Sequence, residues 1–289
     1  MRRALIFGAS GQLGRPLLAR LRAAGWQVLA VSRDAHDDGD GLRWLRGDCD
    51  GVPGLPDAVD AILGCGPLDA FARWYARAPV AAPRVVAFGS TSVSVKQASA
   101  DPAERDLASR LRAGESGVLA AASRHGAAAT LLRPTLVYGA GRDRTLTRIA
   151  AFARRSGVFA LPRDATGLRQ PVHVDDLADA AFAALDAVAS HGRVYELPGG
   201  ETLAYRDMVA RVLAALQPPA RLLALPAPLF TGAVALLRAG GRLQGLGEAA
   251  RARMREDLVF DAGPARRDLG YTPRDFRPTA AMFDPAGSL

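Results

Sequence analysis

Lysine is almost missing from this chain. Of its 37 basic residues only Lys96 is a lysine, and the others are arginines. The net charge of +8 therefore sits almost wholly on guanidinium groups scattered among 29 acidic residues. No basic run interleaved with aromatics occurs, which argues against a nucleic-acid partner. Arginines lining a cleft for an anionic small molecule are the functional subset such a composition favours. Cysteine is scarce too. Cys49 and Cys65 follow no metal spacing, so no metal centre is expected, and a reducing compartment fits. Aromatics make up 6% of residues against 49% hydrophobic ones, which points to an aliphatic, alanine-rich core. Long apolar runs are absent. The longest uncharged one, 225–237, holds two prolines and is too short to cross a bilayer. The segment 225–242 is apolar, then basic, and reads as a lobe helix or a subunit contact ahead of a membrane-surface helix. The opening Met1-Arg2-Arg3 leads straight into an apolar run and leaves no room for a signal peptide. The expectation is a cytoplasmic protein. A length of 289 residues allows one large domain, or a main domain with a smaller second lobe.

What the chain does have is a glycine turn in the right setting. Gly8, Gly11 and Gly14 fall at three-residue spacing in Gly8-Ala9-Ser10-Gly11-Gln12-Leu13-Gly14. The apolar run 3–7 precedes them and reads as a buried strand. Leucines at 13, 17, 18 and 21 follow at helical spacing, with Gly25 as a stop. Strand, glycine turn and helix together are the context of a dinucleotide fingerprint. The turn needs residues without a Cβ, and the helix amino end offers N–H groups and partial positive charge to a pyrophosphate. Gly8, Ser10, Gly11, Gln12, Leu13 and Gly14 are thus candidate cofactor residues.

Strands then alternate with helical segments, the pattern of a doubly wound, Rossmann-type parallel α/β sheet. Strands are expected over 27–32, 43–46, 59–64, 84–89 and 129–133. A long helix is expected over 103–125, with Asp101 as cap, Pro102 at its first position, Glu104 closing a capping box, and room for a break near Gly114. Beyond 134 the alternation loosens. Helices are expected over 148–155, 176–188, 205–216, 228–239 and 247–256, and a strand over 193–197. No linker separates two independent domains. The expectation is one structural unit, with 1–134 mainly the nucleotide-binding core and 135–289 mainly a substrate lobe with some segments returning to the core. Such a lobe belongs over the carboxyl ends of the strands, where ligands of these sheets bind.

The strand ends carry further candidates. Ser32-Arg33-Asp34 follows the glycine loop by about 20 residues, where the adenosine ribose is read. An acid there suits NAD and an arginine suits the 2′-phosphate of NADP; Arg33 comes first, so NADP is favoured over NAD. Asp48 is either an acceptor for the adenine amino group or a turn aspartate. Gly64-Cys65-Gly66 after the fourth strand either lets backbone approach the cofactor ribose or is an ordinary loop.

With these residues on the page, the chain resembles the short-chain dehydrogenase/reductase superfamily, in its extended or atypical branch of NAD-dependent epimerase/dehydratases. The resemblance rests on Gly8 to Gly14, on Gly89-Ser90-Thr91-Ser92, on Leu132-Arg133-Pro134-Thr135-Leu136-Val137-Tyr138-Gly139, on Arg169-Gln170-Pro171-Val172-His173-Val174-Asp175-Asp176, and on Leu269-Gly270-Tyr271-Thr272-Pro273. It implies hydride transfer between a substrate carbon and a nicotinamide, with Ser90 near the cofactor and Thr91 at the place of the catalytic Ser/Thr. It also implies that Arg169 contacts the diphosphate of a nucleotide sugar, where an arginine makes two charge-assisted hydrogen bonds. A salt bridge from Arg169 to Asp175 or Asp176 is the alternative. Arg142 and Arg144 are basic loop residues near the expected substrate mouth. A homodimer through the long helices is a further implication.

One departure stands out. The family's acid/base pair is a Tyr four residues before a Lys on the long helix. The stretch 103–125 holds neither. With Glu115 as the glutamate that follows the pair, Leu107 stands at the tyrosine place and Leu111 at the lysine place. Lys96 and Tyr138 are the remaining candidates for proton transfer, each with a plain alternative: a surface lysine and a pocket wall. His173 reads as strand-end packing. Two functions stay open. One is an NAD(P)-dependent enzyme acting on a nucleotide sugar or similar anionic small molecule. The other is a dinucleotide-binding sensor, assembly factor or structural subunit, since Rossmann subunits without the pair occur in respiratory assemblies. Arg33→Ala is expected to weaken NADPH binding about tenfold while leaving NADH binding nearly unchanged; calorimetric titration of both checks this, and equal losses would refute the assignment.

Overall fold

The computed structural model describes residues 1–143, 145–232 and 252–284. Arg144 and much of the helices expected over 228–239 and 247–256 lie outside the described residues. The chain divides into two compact units. Unit 1 comprises Met1–Thr135, Val174–Leu197 and Asp261–Pro273; unit 2 comprises Leu136–His173, Pro198–Phe260 and Arg274–Leu289.

Unit 1 is built on β1 (Arg3–Phe7), α1 (Gly14–Ala23), β2 (Gln27–Ser32), β3 (Leu42–Arg46), β4 (Ala61–Gly64), α2 (Leu68–Tyr75), β5 (Arg84–Phe88), α3 (Ser92–Val95), α4 (Pro102–His125) and β6 (Ala128–Pro134). The chain leaves for unit 2 and returns with α6 (Val174–Ala184) and β11 (Arg193–Leu197), and later with a helix at Gly263–Leu269. The seven strands pair in the order β11-β6-β5-β4-β1-β2-β3, all in parallel. The order reverses between β1 and β4, so the ligand crevice of such a sheet belongs at their carboxyl ends. That is where β1 hands over to the glycine turn. The strands read as continuous apolar runs because both faces are covered: Ala4, Leu5, Ile6, Ile62, Leu63, Val85 and Ala87 are all fully buried.

Two local devices hold this frame. Asp101 caps α4 by accepting from Ala103 N at 2.9 Å, and Gly126 ends it at φ +65. Glu104 lies in the first turn as expected, but its carboxylate accepts from Ser99 Oγ at 2.7 Å, and Ser99 Oγ in turn accepts from Asp101 N at 3.2 Å. The helix runs unbroken past Gly114. A Cβ there would meet Leu68 Cγ at 3.1 Å and Asp69 N at 3.2 Å, so the glycine serves the close approach of α2. The sequence reading passed over α2 itself. It has eight residues, too few for a firm periodic signal, yet Phe71 and Trp74 pack against Phe7 in the core and Tyr75 stacks on Phe71.

The second device is a buried arginine. Arg84 opens β5 and donates to Ala184 O (2.9 Å), Ala128 O (2.8 Å), Thr130 Oγ1 (2.6 Å) and Ser190 Oγ (2.6 Å). These bonds tie β5, β6 and the end of α6 together. Burial pushes its guanidinium down to about 10.

Unit 2 has its own core of Tyr138, Leu146, Ile149, Met208, Val209, Val212, Phe276 and Phe283. Its strands form three two-stranded pairs. β7 (Val137–Tyr138) runs parallel to β10 (Val172–His173), β8 (Val158–Pro162) parallel to β13 (Arg221–Leu225), and β9 (Leu168–Arg169) antiparallel to β12 (Leu203–Ala204). Helices α5 (Leu146–Ser156) and α7 (Tyr205–Ala215) match expectation within three residues at either end. The short pairs were not expected, because strands of two to five residues carry no alternation to read. No helix among the described residues is long and apolar enough to cross a membrane. Arg84→Met should lower unfolding free energy by about 3 kcal/mol, because the carbonyls and hydroxyls around it lose a charged donor; urea unfolding followed by circular dichroism measures this.

Candidate dinucleotide site

The site in unit 1 begins with backbone packing. Gly8 takes φ +73, and a Cβ on it would lie 3.0 Å from Cys65 C and Gly66 N. The turn is closed by Gly11 N donating to Gly8 O at 3.0 Å. A Cβ on Gly14 would fall 2.2 Å from Gly8 O and 2.6 Å from Ala9 Cα. Helix α1 therefore starts directly against the turn, which only glycine permits. Its amino end has no side-chain cap and no acid in the first turn, while Arg20 and Arg22 sit in the last. Such an end leaves backbone N–H groups and positive dipole for an anion. Gln12 Oε1 is buried there without a hydrogen-bond partner. The uncapped helix end fits a pyrophosphate held by backbone N–H groups of Gly11, Gln12, Leu13 and Gly14, whereas the Gln12 oxygen, an acceptor, calls for a donor such as a hydroxyl.

Around the turn the structure gathers the strand-end residues. Ser10 Oγ lies 3.0 Å from Ser32 Oγ, and Ser32 Oγ lies 3.1 Å from His36 Nε2. Arg33 and Asp34 are exposed beside them. Asp48 Oδ1 accepts from Asp50 N at 2.9 Å, and Asp48 N donates to Gly51 O, which is the turn-aspartate geometry. Gly64 faces Phe71, whose ring a Cβ would meet at 2.8 Å; Cys65 N donates to Phe7 O at 2.9 Å, and Gly66 faces open space. Burial pushes the Cys65 thiol up to about 12, so it is no nucleophile at neutral pH.

The residues after β5 are more constrained. Ser90 Oγ accepts from Ser92 N at 3.1 Å. Thr91 is buried, and both its N and its Oγ1 donate to Pro134 O at 3.2 Å. Lys96, half-buried, has its Nζ 3.5 Å from Glu104 Oε1 in an ion pair. Beneath them Arg133 makes a two-pronged bond to Glu115, at 2.7 and 2.5 Å, and this carboxylate raises the arginine above its ordinary value. Leu107 and Leu111 lie on α4, half-buried, and offer no proton.

The candidates of unit 2 form a separate group. Tyr138 is 1% exposed, edge-on to the rings of His173 (5.1 Å) and Phe276 (4.8 Å). Enclosure of this kind suits a wall more than an acid. His173 packs as expected at the end of β10, and Gly139, at φ +109, makes room for it. Arg169 is buried. Its guanidinium donates to Leu168 O (2.7 Å), Glu256 O (2.8 Å) and Arg253 O, and lies over the Tyr205 ring. Burial lowers it from its ordinary value. Its expected alternative partner, Asp175, instead accepts from Arg20 at 3.3 Å. Arg142 is exposed. Among the described residues no group of three or more His, Cys, Asp or Glu is placed to hold a metal.

Sequence reading missed His36 and Arg15. Arg15 Nε donates to Ser10 O at 3.0 Å and so braces the turn. Nothing in the local sequence marks His36; its place comes from the pairing of β2 with β3, which sets its ring 4.1 Å from that of Trp44.

Comparison with known proteins gives a family match over part of the chain. Residues 75–197 match the NAD dependent epimerase/dehydratase family. The match spans Ser90, Thr91, Lys96, all of α4 and Tyr138; the glycine turn precedes it. The chain is 26% identical to the 2-alkyl-3-oxoalkanoate reductase of Stenotrophomonas maltophilia, covering 93% of this chain and 94% of that one. It is 29% identical to NADH dehydrogenase (ubiquinone) 1 alpha subcomplex subunit 9, mitochondrial, of Arabidopsis thaliana, over 78% of this chain and 61% of that relative's length. Among solved structures it is similar to MoeE5 in complex with UDP-glucose and NAD, with a TM-score of 0.68, 21% identity, and coverage of 97% and 96%. That likeness carries the epimerase-type fold. Gly14→Ala should weaken NAD(P)H binding more than about tenfold and lower Tm by several degrees, since helix and turn must part; calorimetry and a thermal melt report the two effects separately.

Proposed function

We propose that this chain is an NADP(H)-dependent oxidoreductase or epimerase-like protein acting on a nucleotide sugar or similar anionic small molecule. The observation that carries the reading is the amino end of α1: uncapped by any side chain, free of acids in its first turn, and set against a turn whose glycine positions are filled by backbone. Bound there, a nicotinamide dinucleotide supplies the hydride chemistry. The chain's own residues hold it: Gly11 to Gly14 at the pyrophosphate, Ser32 and Arg33 at the adenosine ribose, Gly64 to Gly66 and Ser90 at the nicotinamide side. Preference for NADP is supported by a hydroxyl, Ser32, at the strand end and by Arg33 directly after it. An oxidoreductase role is supported by the end-to-end likeness to a reductase. A nucleotide-sugar substrate is supported by the ligand of MoeE5. Exposed Arg142 suits substrate anion contact. Arg169, held by three backbone carbonyls, suits a scaffold role that shapes the 253–257 segment.

A second reading is favoured by a specific observation. Leu107 and Leu111 stand where the family's proton-transfer pair belongs, the Thr91 hydroxyl donates to Pro134 O, and Lys96 is paired with Glu104. A dinucleotide-binding subunit without turnover would have this site, and the Arabidopsis relative is by name a subunit of a larger complex.

One experiment separates the two. Purified protein is titrated with NADPH and NADH by calorimetry, then mixed with a panel of nucleotide sugars and small keto acids while nicotinamide absorbance and products are followed. Turnover with NADPH is the expected result. Binding without turnover across the panel would replace the enzyme with the subunit reading, and binding of neither dinucleotide would remove both.

A further inference from the structure

The loop after β2 holds a chain of three hydrogen-bonding side chains. Ser32 Oγ is 6% exposed at the level of the residue and touches three groups: Ser10 Oγ at 3.0 Å, His36 Nε2 at 3.1 Å, and Asp34 N, which donates to it at 3.2 Å. The His36 ring is tilted against Trp44, with centroids 4.1 Å apart. Trp44 N in turn donates to Asp38 Oδ1 at 2.6 Å, which fixes the loop on β3. The imidazole is thus held in place by a ring on one side and a hydroxyl on the other.

A serine hydroxyl has one proton and two acceptor lone pairs. The Asp34 N–H fills one lone pair of Ser32. Of Ser10 and His36, Ser32 then accepts from one and donates to the other. When His36 is an imidazolium, Nε2 carries a proton and must donate. Ser32 accepts it and donates to Ser10, whose own proton is turned away from Ser32. When the ring is neutral, Nε2 is able to accept, and the chain runs from Ser10 through Ser32 to His36. The two directions suit different ligands. A phosphate only accepts hydrogen bonds, whereas a ribose 2′-hydroxyl also donates one.

We propose that His36 sets the choice between a 2′-phosphate and a 2′-hydroxyl on the bound dinucleotide, through the Ser32–Ser10 relay, and makes that choice depend on pH. The inference rests on the dinucleotide reading given above and assigns a specificity-determining residue within it. Imidazolium adds a positive charge at the strand end and locks the relay in the direction that matches phosphate. Deprotonation removes the charge and allows the direction that matches a hydroxyl. Histidine is the side-chain type that makes this change between pH 5 and 8.

Charged groups reach the ring's surroundings from three elements. On its own loop stand Arg33, Asp34, Asp37 and Asp38, with Asp38 bound to the Trp44 N–H. From β3 the ring meets Trp44, flanked by exposed Arg43 and Arg46. From the glycine turn come Ser10 and Arg15, the latter on the Ser10 carbonyl. Among the described residues no carboxylate forms an ion pair with His36.

The test compares full-length wild type with His36→Gln and His36→Lys, measuring calorimetric Kd for NADPH and NADH at pH 5.5, 7.0 and 8.5. The 2′-phosphate itself titrates in this range, so the quantity read is the ratio of variant to wild-type Kd at each pH, in which the ligand's own titration cancels. For NADPH, His36→Gln should raise Kd about tenfold at pH 5.5 and leave it unchanged at pH 8.5. For NADH the ratio should fall below one at pH 5.5, where Gln releases the relay from the locked direction, and stay near one at pH 8.5. His36→Lys, with a fixed charge, should keep NADPH affinity at pH 8.5 above that of wild type. A thermal melt confirms that each variant is folded. A Gln ratio for NADPH that stays constant with pH, or an equal shift for NADH, would overturn the assignment of His36 while leaving the cofactor site intact. Failure of wild type to bind either dinucleotide would overturn both.

Discussion

The contact between Gly14 and the Gly8 carbonyl is the constraint on which the site depends. A Cβ at Gly14 would sit 2.2 Å from that oxygen, so α1 begins in van der Waals contact with the turn that ends β1. This brings the helix amino end, with its N–H groups and partial positive charge, to the carboxyl edge of the sheet. The Gly8 position is itself pressed against the Cys65–Gly66 backbone after β4. The reversal of strand order between β1 and β4 is thus joined at one point by three backbone segments. Arg15 braces the outer side through the Ser10 carbonyl.

The other half of the site follows a different logic. In unit 1 the polar groups beneath the strand ends are largely committed to one another: Arg133 with Glu115, Lys96 with Glu104, Thr91 with Pro134 O. Each of these buried groups needs a partner, because an unpaired one carries a large desolvation penalty. The pairing that satisfies them also occupies the side chains that proton transfer would use. The leucines at 107 and 111 offer no proton.

The central strands, α1 and α4 were legible because their signals are local and redundant. Apolar runs of five or six residues bounded by glycine turns read as strands buried on both faces, and Asp101 with Pro102 marks the start of α4 without any tertiary knowledge. Helix α2 and the paired strands of unit 2 were not legible. Their lengths are too short to express a period, and packing of Phe71 and Trp74 against Phe7, or of Tyr138 against His173 and Phe276, is what holds them.

Sequence alone determined that the turn must be a close backbone approach, since three glycines between a strand and a helix have few other uses, and that α4 holds neither tyrosine nor lysine. Only the tertiary structure decided what the remaining polar residues do. Arg169 and Arg142 are both arginines in loop-rich sequence, yet one is buried against three carbonyls and the other is exposed. Ser10, Ser32 and His36 lie far apart or in an undistinguished acidic loop, and become one hydrogen-bonded chain because β2 pairs with both β1 and β3. The reason is the same in each case: a hydrogen bond is fixed by distance and direction in space, and neither is written in the order of residues along the chain.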